Sequence, residues 1–115
     1  RKIWSHMSDV IPLFHALSDP TRFAIVNRLS AEGEVGAGAL SEGFSSSASA
    51  VSQHRKVLRE AGLIKKRSVG QARIYSLNKQ AVGRIKSWAL EHEAFWNGSL
   101  DRLEAALDEE FGETP

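Results

Sequence analysis

Apolar residues three and four positions apart recur along most of this chain, and the places where that rhythm stops divide it into elements. Val10, Leu13, Phe14 and Leu17 keep the spacing of one side of a short helix. A second helix is announced by Asp19, which can cap it, and by Pro20, which suits a first helical position where a missing N–H costs nothing. Phe23, Ile25, Val26 and Leu29 supply its apolar stripe, and Gly33 ends it. "GAGALSEGF", Gly36 to Phe44, reads as a short third helix anchored by Leu40 and Phe44. Its glycines lower its propensity, so tertiary packing has to hold it.

Ser47 is a good cap for a fourth helix. At 100° per residue, Ala50, Val51, His54, Val57, Leu58 and Ala61 fall on one side of it. Ser49, Ser52, Lys56 and Arg59 fall on the other, with Gln53 and Arg55 at the flanks. The helix therefore has a core face and a polar-basic face of a size to enter a groove. Gly62 stops it. "LIKKRSVGQARIYSL" then predicts two short strands around a Gly70-Gln71 turn, with strand preference at Ile64, Ile74 and Tyr75.

From Lys79 to about Glu110 the helical rhythm returns in Val82, Ile85, Ala89, His92, Trp96, Leu100, Leu103 and Leu107, flanked by Trp88 and Phe95. Some 30 residues make a rod of roughly 45 Å, longer than so small a domain can cover. An identical rod from a second subunit is the simplest cover. Asn97-Gly98-Ser99 is the place where the rod would kink or split.

A chain of 115 residues has room for one modest core, so the expectation is a single domain over 7–115. Its parts are a core over 19–77 and dimerisation elements at 8–18 and 79–110. "WSHM" ahead of Met7 resembles a cloning scar, and residues 1–6 are set aside on that account, His6 included. No apolar run reaches the roughly 18 residues of a membrane span, and no secretory leader opens the chain, which favours the cytoplasm. Without cysteine there is neither a disulfide nor a thiolate metal site. The net charge of +1 hides a separation. From Gln53 to Arg73 seven cations stand against Glu60 alone, a balance of +6, whereas Asp101 to Pro115 carries −5. One face is suited to a polyanion and one end is kept from it.

Three helices followed by a basic hairpin make a winged helix-turn-helix, mainly α with a small β-hairpin and, here, a long C-terminal dimerisation helix. Duplex DNA asks for cations to match phosphates and for short hydrogen-bonding side chains to read base edges. Ser47, Ser49, Ser52 and Gln53 occupy the first turns of the recognition helix, and glutamine can pair bidentately with adenine. Arg55, Lys56 and Arg59 on the helix, with Lys65, Lys66, Arg67 and Arg73 on the wing, are the expected phosphate contacts. His54 belongs mid-face as a packed histidine that touches phosphate from the edge.

The chain at this point resembles the ArsR-type winged-helix repressors of bacteria. "ALSDPTRFAIVNRL", "AVSQHRKVLREAGLI" and "RIYSL" match that family's opening, recognition-helix and wing patterns in order, over roughly Phe14 to Leu77. The resemblance implies a homodimeric repressor with Ser52, Gln53 and His54 in the reading positions. The apolar faces that a small core cannot absorb set the expected dimer interface at Leu13, Phe14, Leu17, Trp88, His92, Phe95, Trp96, Leu100 and Leu103. One departure is Arg55, where the family usually has an apolar residue; its stem could pack while its head reaches phosphate. The family's sensor sites are absent: cysteines are lacking, and His92 is the one histidine of the terminal helix.

No metal or cofactor is therefore expected, and His15 reads as an interface residue. A small-molecule effector of unidentified chemistry is left open as a partner; an apolar one would go to Trp88, Phe95 and Trp96. No phosphate loop, metal pair or activated nucleophile points to an enzyme. The alternative is a winged helix kept as a protein-interaction module, which would not need +6 focused on one helix and its wing.

Overall fold

The computed structural model describes residues 2–111, with the side chains of residues 2–8, 94–96, 100 and 111 outside the description. The order is α1 (Lys2–Leu17), α2 (Pro20–Glu32), β1 (Glu34–Gly36), α3 (Ala37–Glu42), α4 (Ala48–Glu60), β2 (Ile64–Val69), β3 (Ala72–Leu77) and α5 (Lys79–Phe111). Local signals explain most boundaries. Asp19 accepts from the Thr21 and Arg22 N–H groups and starts α2. Gly33, at φ 88°, closes it with an N–H to the Leu29 carbonyl, a conformation that glycine adopts without a Cβ penalty. Gly70, at φ 60°, does the same for the β2–β3 turn.

β3 is the centre of a three-stranded antiparallel sheet ordered β1-β3-β2. Lys66 lies opposite Tyr75 and Ser68 opposite Arg73, while Glu34 of β1 lies opposite Ser76. The core lies between this sheet and helices α2, α3 and α4, filled by Ile25, Leu29, Leu40, Val51, Leu58, Leu63 and Tyr75. Leu13 and Ala16 of α1 and Ala81 of α5 close it.

Several expectations are corrected. The strand β1 was not foreseen, because three residues carry too little periodicity to register. Phe23, assigned to the α2 stripe, is 51% exposed; Ile25 and Leu29 are the buried positions. The first helix also begins earlier, at Lys2. The α5 stripe is offset by one at its start: Ala81, Ile85, Trp88 and His92 face the molecule, and Val82 is exposed. The backbone of α5 runs unbroken through Asn97–Ser99. A 33-residue helix is about 50 Å long, and residues 101–110 are all exposed.

Candidate nucleic-acid interface

The setting of α4 depends on its N-terminal turns. Ser47 is extended (φ −66°, ψ 159°), and its Oγ accepts from the Ala50 N–H at 3.1 Å, which answers one donor left orphaned at the helix start. His54, two turns further on, reaches back to the cap of α2. Its Nδ1 lies 3.3 Å from Arg22 Nη1 and 3.7 Å from Asp19 Oδ2. A guanidinium can only donate, so Nδ1 is the acceptor and the ring hydrogen belongs on Nε2. Arg22 Nε in turn donates to the Ala16 carbonyl at 2.7 Å. The same group of side chains therefore joins α1, α2 and α4. The Asp19 carboxyl is held below its ordinary pKa, first by the hydrogen bond from the Arg22 N–H and also by that from the Thr21 N–H and by the charge of Arg22.

Between α4 and the hairpin runs a crevice of about 160 Å³, lined by Ser52, Gln53, Arg55, Lys56 and Arg59 on one side and Lys66, Arg73 and Tyr75 on the other. Strand alternation selects the wing residues, since cross-strand partners share a face. Lys66 and Tyr75 are such a pair, and Arg73 stands two residues from Tyr75 on the same side. No acidic residue is among those lining the crevice. Its surface can match two kinds of group: phosphates through the cations, and base edges through the short polar side chains at its rim.

Ser47 at the cap of α4 and Ser49, Ser52, Gln53, Lys56 and Arg59 along it are all exposed, and Lys66 and Arg73 join them from the wing. Four assigned residues behave otherwise. Arg55, expected to put its head on a phosphate, is buried at 9% exposure, with Nη1 donating to Ser41 Oγ at 3.3 Å and the guanidinium 5.0 Å from the centre of the Tyr75 ring. His54 is half-buried and engaged with Arg22 and Asp19, so its Nδ1 is not turned to solvent. Arg67 is clasped by Glu34, Nη2 to Oε1 at 2.9 Å and Nε to Oε2 at 3.2 Å. Lys65 shares that strand face and borders a separate hollow with Glu34, Ser76 and Lys79. The alternation of β2 separates both from the crevice. Hydrogen bonds from Arg67 hold the Glu34 carboxyl below its ordinary pKa and raise that of Arg67.

Tyr75 and Ser41 were missed as parts of this site. Tyr75 had a signal, its two-residue spacing from Arg73; Ser41, 14 residues from Arg55, had none.

The assigned interface residues also divide. Leu13 is spent inside the core, which corrects its assignment, and Leu17 is half-buried against that core. Phe14 meets Trp88 edge to face at 5.2 Å, and Trp88 stacks on His92 at 4.8 Å. His92 Nδ1 contacts the Trp88 carbonyl at 2.8 Å. Leu103 is 55% exposed, and Phe95, Trp96 and Leu100 lie outside the described side chains. Among the described residues no three His, Asp or Glu side chains gather as metal ligands, and no helix is long and apolar enough to cross a membrane.

Comparison with known proteins gives consistent neighbours. A helix-turn-helix domain family matches residues 17–67. The HTH-type transcriptional regulator Rv2034 of Mycobacterium tuberculosis is 36% identical over 101 residues, 88% of this chain and 91% of that protein. The transcriptional repressor SdpR of Bacillus subtilis is 36% identical over 78 residues, 68% of this chain and 86% of its own. Among solved structures, the ArsR family transcriptional regulator RHA00566 superposes with a TM-score of 0.69 at 27% identity, covering 78% of this chain and 92% of that one.

Proposed function

Because the chain belongs to the ArsR-type winged helix-turn-helix transcriptional regulators, we propose that this DNA-binding protein acts as a homodimeric repressor on an inverted-repeat operator. In this reading residues 7–115 form one domain, with DNA binding over 19–77 and dimerisation through 8–18 and 79–110. The observation that carries it is the crevice: Ser52, Gln53, Lys56 and Arg59 face Lys66 and Arg73 with no acid between them. Gln53 and Ser52 read base edges in the major groove, and the cations on either side hold the flanking phosphates.

The dimer reading rests on apolar surface that one chain leaves open. Leu90, Leu103 and Leu107 of α5 are 57%, 55% and 47% exposed, and Ile11 and Phe14 of α1 are exposed as well. A two-fold axis along α5 would pair these surfaces and set the two α4 helices into successive major grooves about 34 Å apart. The place of work is the cytoplasm, with the DNA. The name of SdpR supports the repressor role, and no effector is assigned.

Footprinting on the native promoter, with sedimentation of the free protein, tests this directly. A protected inverted repeat and a dimeric mass are expected. Gln53→Ala should lose about 1–3 kcal/mol on that site with little change on random DNA. A monomer that protects no repeat would sink the proposal.

A further inference from the structure

Arg55 is the one buried charged residue among the described side chains, and its burial lacks the usual compensation. No carboxylate lies within ion-pair distance of it among the described residues. Nε is buried without any hydrogen-bond partner. Nη1 has only the Ser41 hydroxyl, at 3.3 Å, and Tyr75 offers its ring face. A buried cation without an anion is costly, and an apolar side chain here would continue the core face of α4 at no such cost. Yet the side chain does not end in the core. It lines the crevice whose other cations are Lys56, Arg59, Lys66 and Arg73.

We propose that this crevice is a binding site for a single phosphate-type oxyanion, with Arg55 at its floor. The space is about 160 Å³, some five water volumes at about 30 Å³ each, enough for the five heavy atoms of a phosphate group. The guanidinium fork matches two phosphate oxygens through its Nη end, and the orphaned Nε, shut off from solvent, stands directly behind that end and reports on it. Lys66 and Arg73 neutralise the remaining charge from the wing. The Tyr75 ring, its centre 5.0 Å from the guanidinium carbon, steadies that group. The oxyanion has two sources of the same chemistry: a backbone phosphate of duplex DNA, or a free phosphate that occupies the crevice without DNA. The first source rests on the DNA-binding reading, and the second does not.

The orphaned N–H is also the probe. The Arg55 Nε–Hε signal, assigned by through-bond correlation in the full-length chain, is followed by NMR in three titrations against chloride at matched ionic strength. These use inorganic phosphate, duplex DNA, and the same duplex with neutral methylphosphonates in its backbone. DNA binding is measured in the same samples by anisotropy. A shift with inorganic phosphate beyond the chloride control establishes the free-oxyanion source. A shift with native duplex alone establishes the backbone source. Both variants lack that N–H, so their phosphate response is read from the backbone amide signals of Ser52, Gln53 and Lys66: Arg55→Leu should weaken it by about tenfold, Arg55→Lys by less, and thermal melting should show both folded. The proposal is overturned if the signal stays still in all titrations, or follows chloride or the neutral duplex equally. It is overturned too if the phosphate response survives Arg55→Leu. A still signal in a sample that binds DNA removes this site and leaves the regulator reading intact. A phosphate shift in a protein that binds no DNA does the reverse.

Discussion

The two faces of the hairpin carry similar side chains and put them to different use. Toward α4, Lys66 and Arg73 stand beside Tyr75 over a crevice with no acidic lining residue. Away from α4, Arg67 is neutralised by two hydrogen bonds to Glu34, and Lys65 borders a hollow that also contains Glu34. A tally of charge along the ribbon treats all four alike. What separates them is the two-residue alternation of a strand, together with the identity of the third strand, which supplies an acid to one face only. Basic charge in a sequence measures capacity for a polyanion; the pleat decides how much of it is delivered.

The sharpest test of that contrast is mechanical. Tyr75→Ala removes a buried ring from the α4-facing side and should cost about 3–4 kcal/mol in urea unfolding. Ile74→Ala, half-buried on the other side, should cost less than half as much. Equal losses would mean that both faces are packed alike.

A smaller effect is expected in DNA binding. Lys66→Ala with Arg73→Ala should flatten the log-affinity versus log-salt slope by about 2, one unit for each lost phosphate contact. Lys65→Ala with Arg67→Ala should flatten it by less than about 1. The contrast is broken if the second pair matters as much as the first, which anisotropy at about 50 and 200 mM salt would reveal.

The smallest effect concerns the ion pair itself. The Glu34 pKa is lowered in the folded state, so its contribution to stability is complete above the unfolded value of about 4.3 and is lost as the pH falls through the folded one. Glu34→Gln should remove that acid-side slope from a plot of Tm against pH. It should also free Arg67 and steepen the salt dependence of DNA binding by at most about one unit. An unchanged acid-side slope would show that the pair contributes nothing measurable, as many exposed pairs do.

Much of the fold was legible because its signals are local. Asp19, Gly33, Ser47 and the Gly70-Gln71 turn act on groups within four residues of themselves, and each stands where it was read. The polar-basic face of α4 was legible for the same reason, since Ser49, Ser52, Gln53, Lys56 and Arg59 follow one helical period. Arg55 was harder. Its position at the flank of the core face allowed either direction, and the choice inward depends on Ser41 and Tyr75, 14 and 20 residues away.

The sequence by itself determined the order and type of nearly all elements, the side of α4 left to solvent, and the family to which the chain belongs. Caps, turns and helical stripes are short-range, and their energies are decided before distant segments meet. Tertiary structure alone decided the pairing of β1 with β3, the inward turn of Arg55, the clasp of Glu34 on Arg67, and the use of Leu13 in the core. Each of these joins residues far apart in the chain. No local period can encode which of two equally polar faces a distant carboxylate will meet, or which side chain a second element will bury.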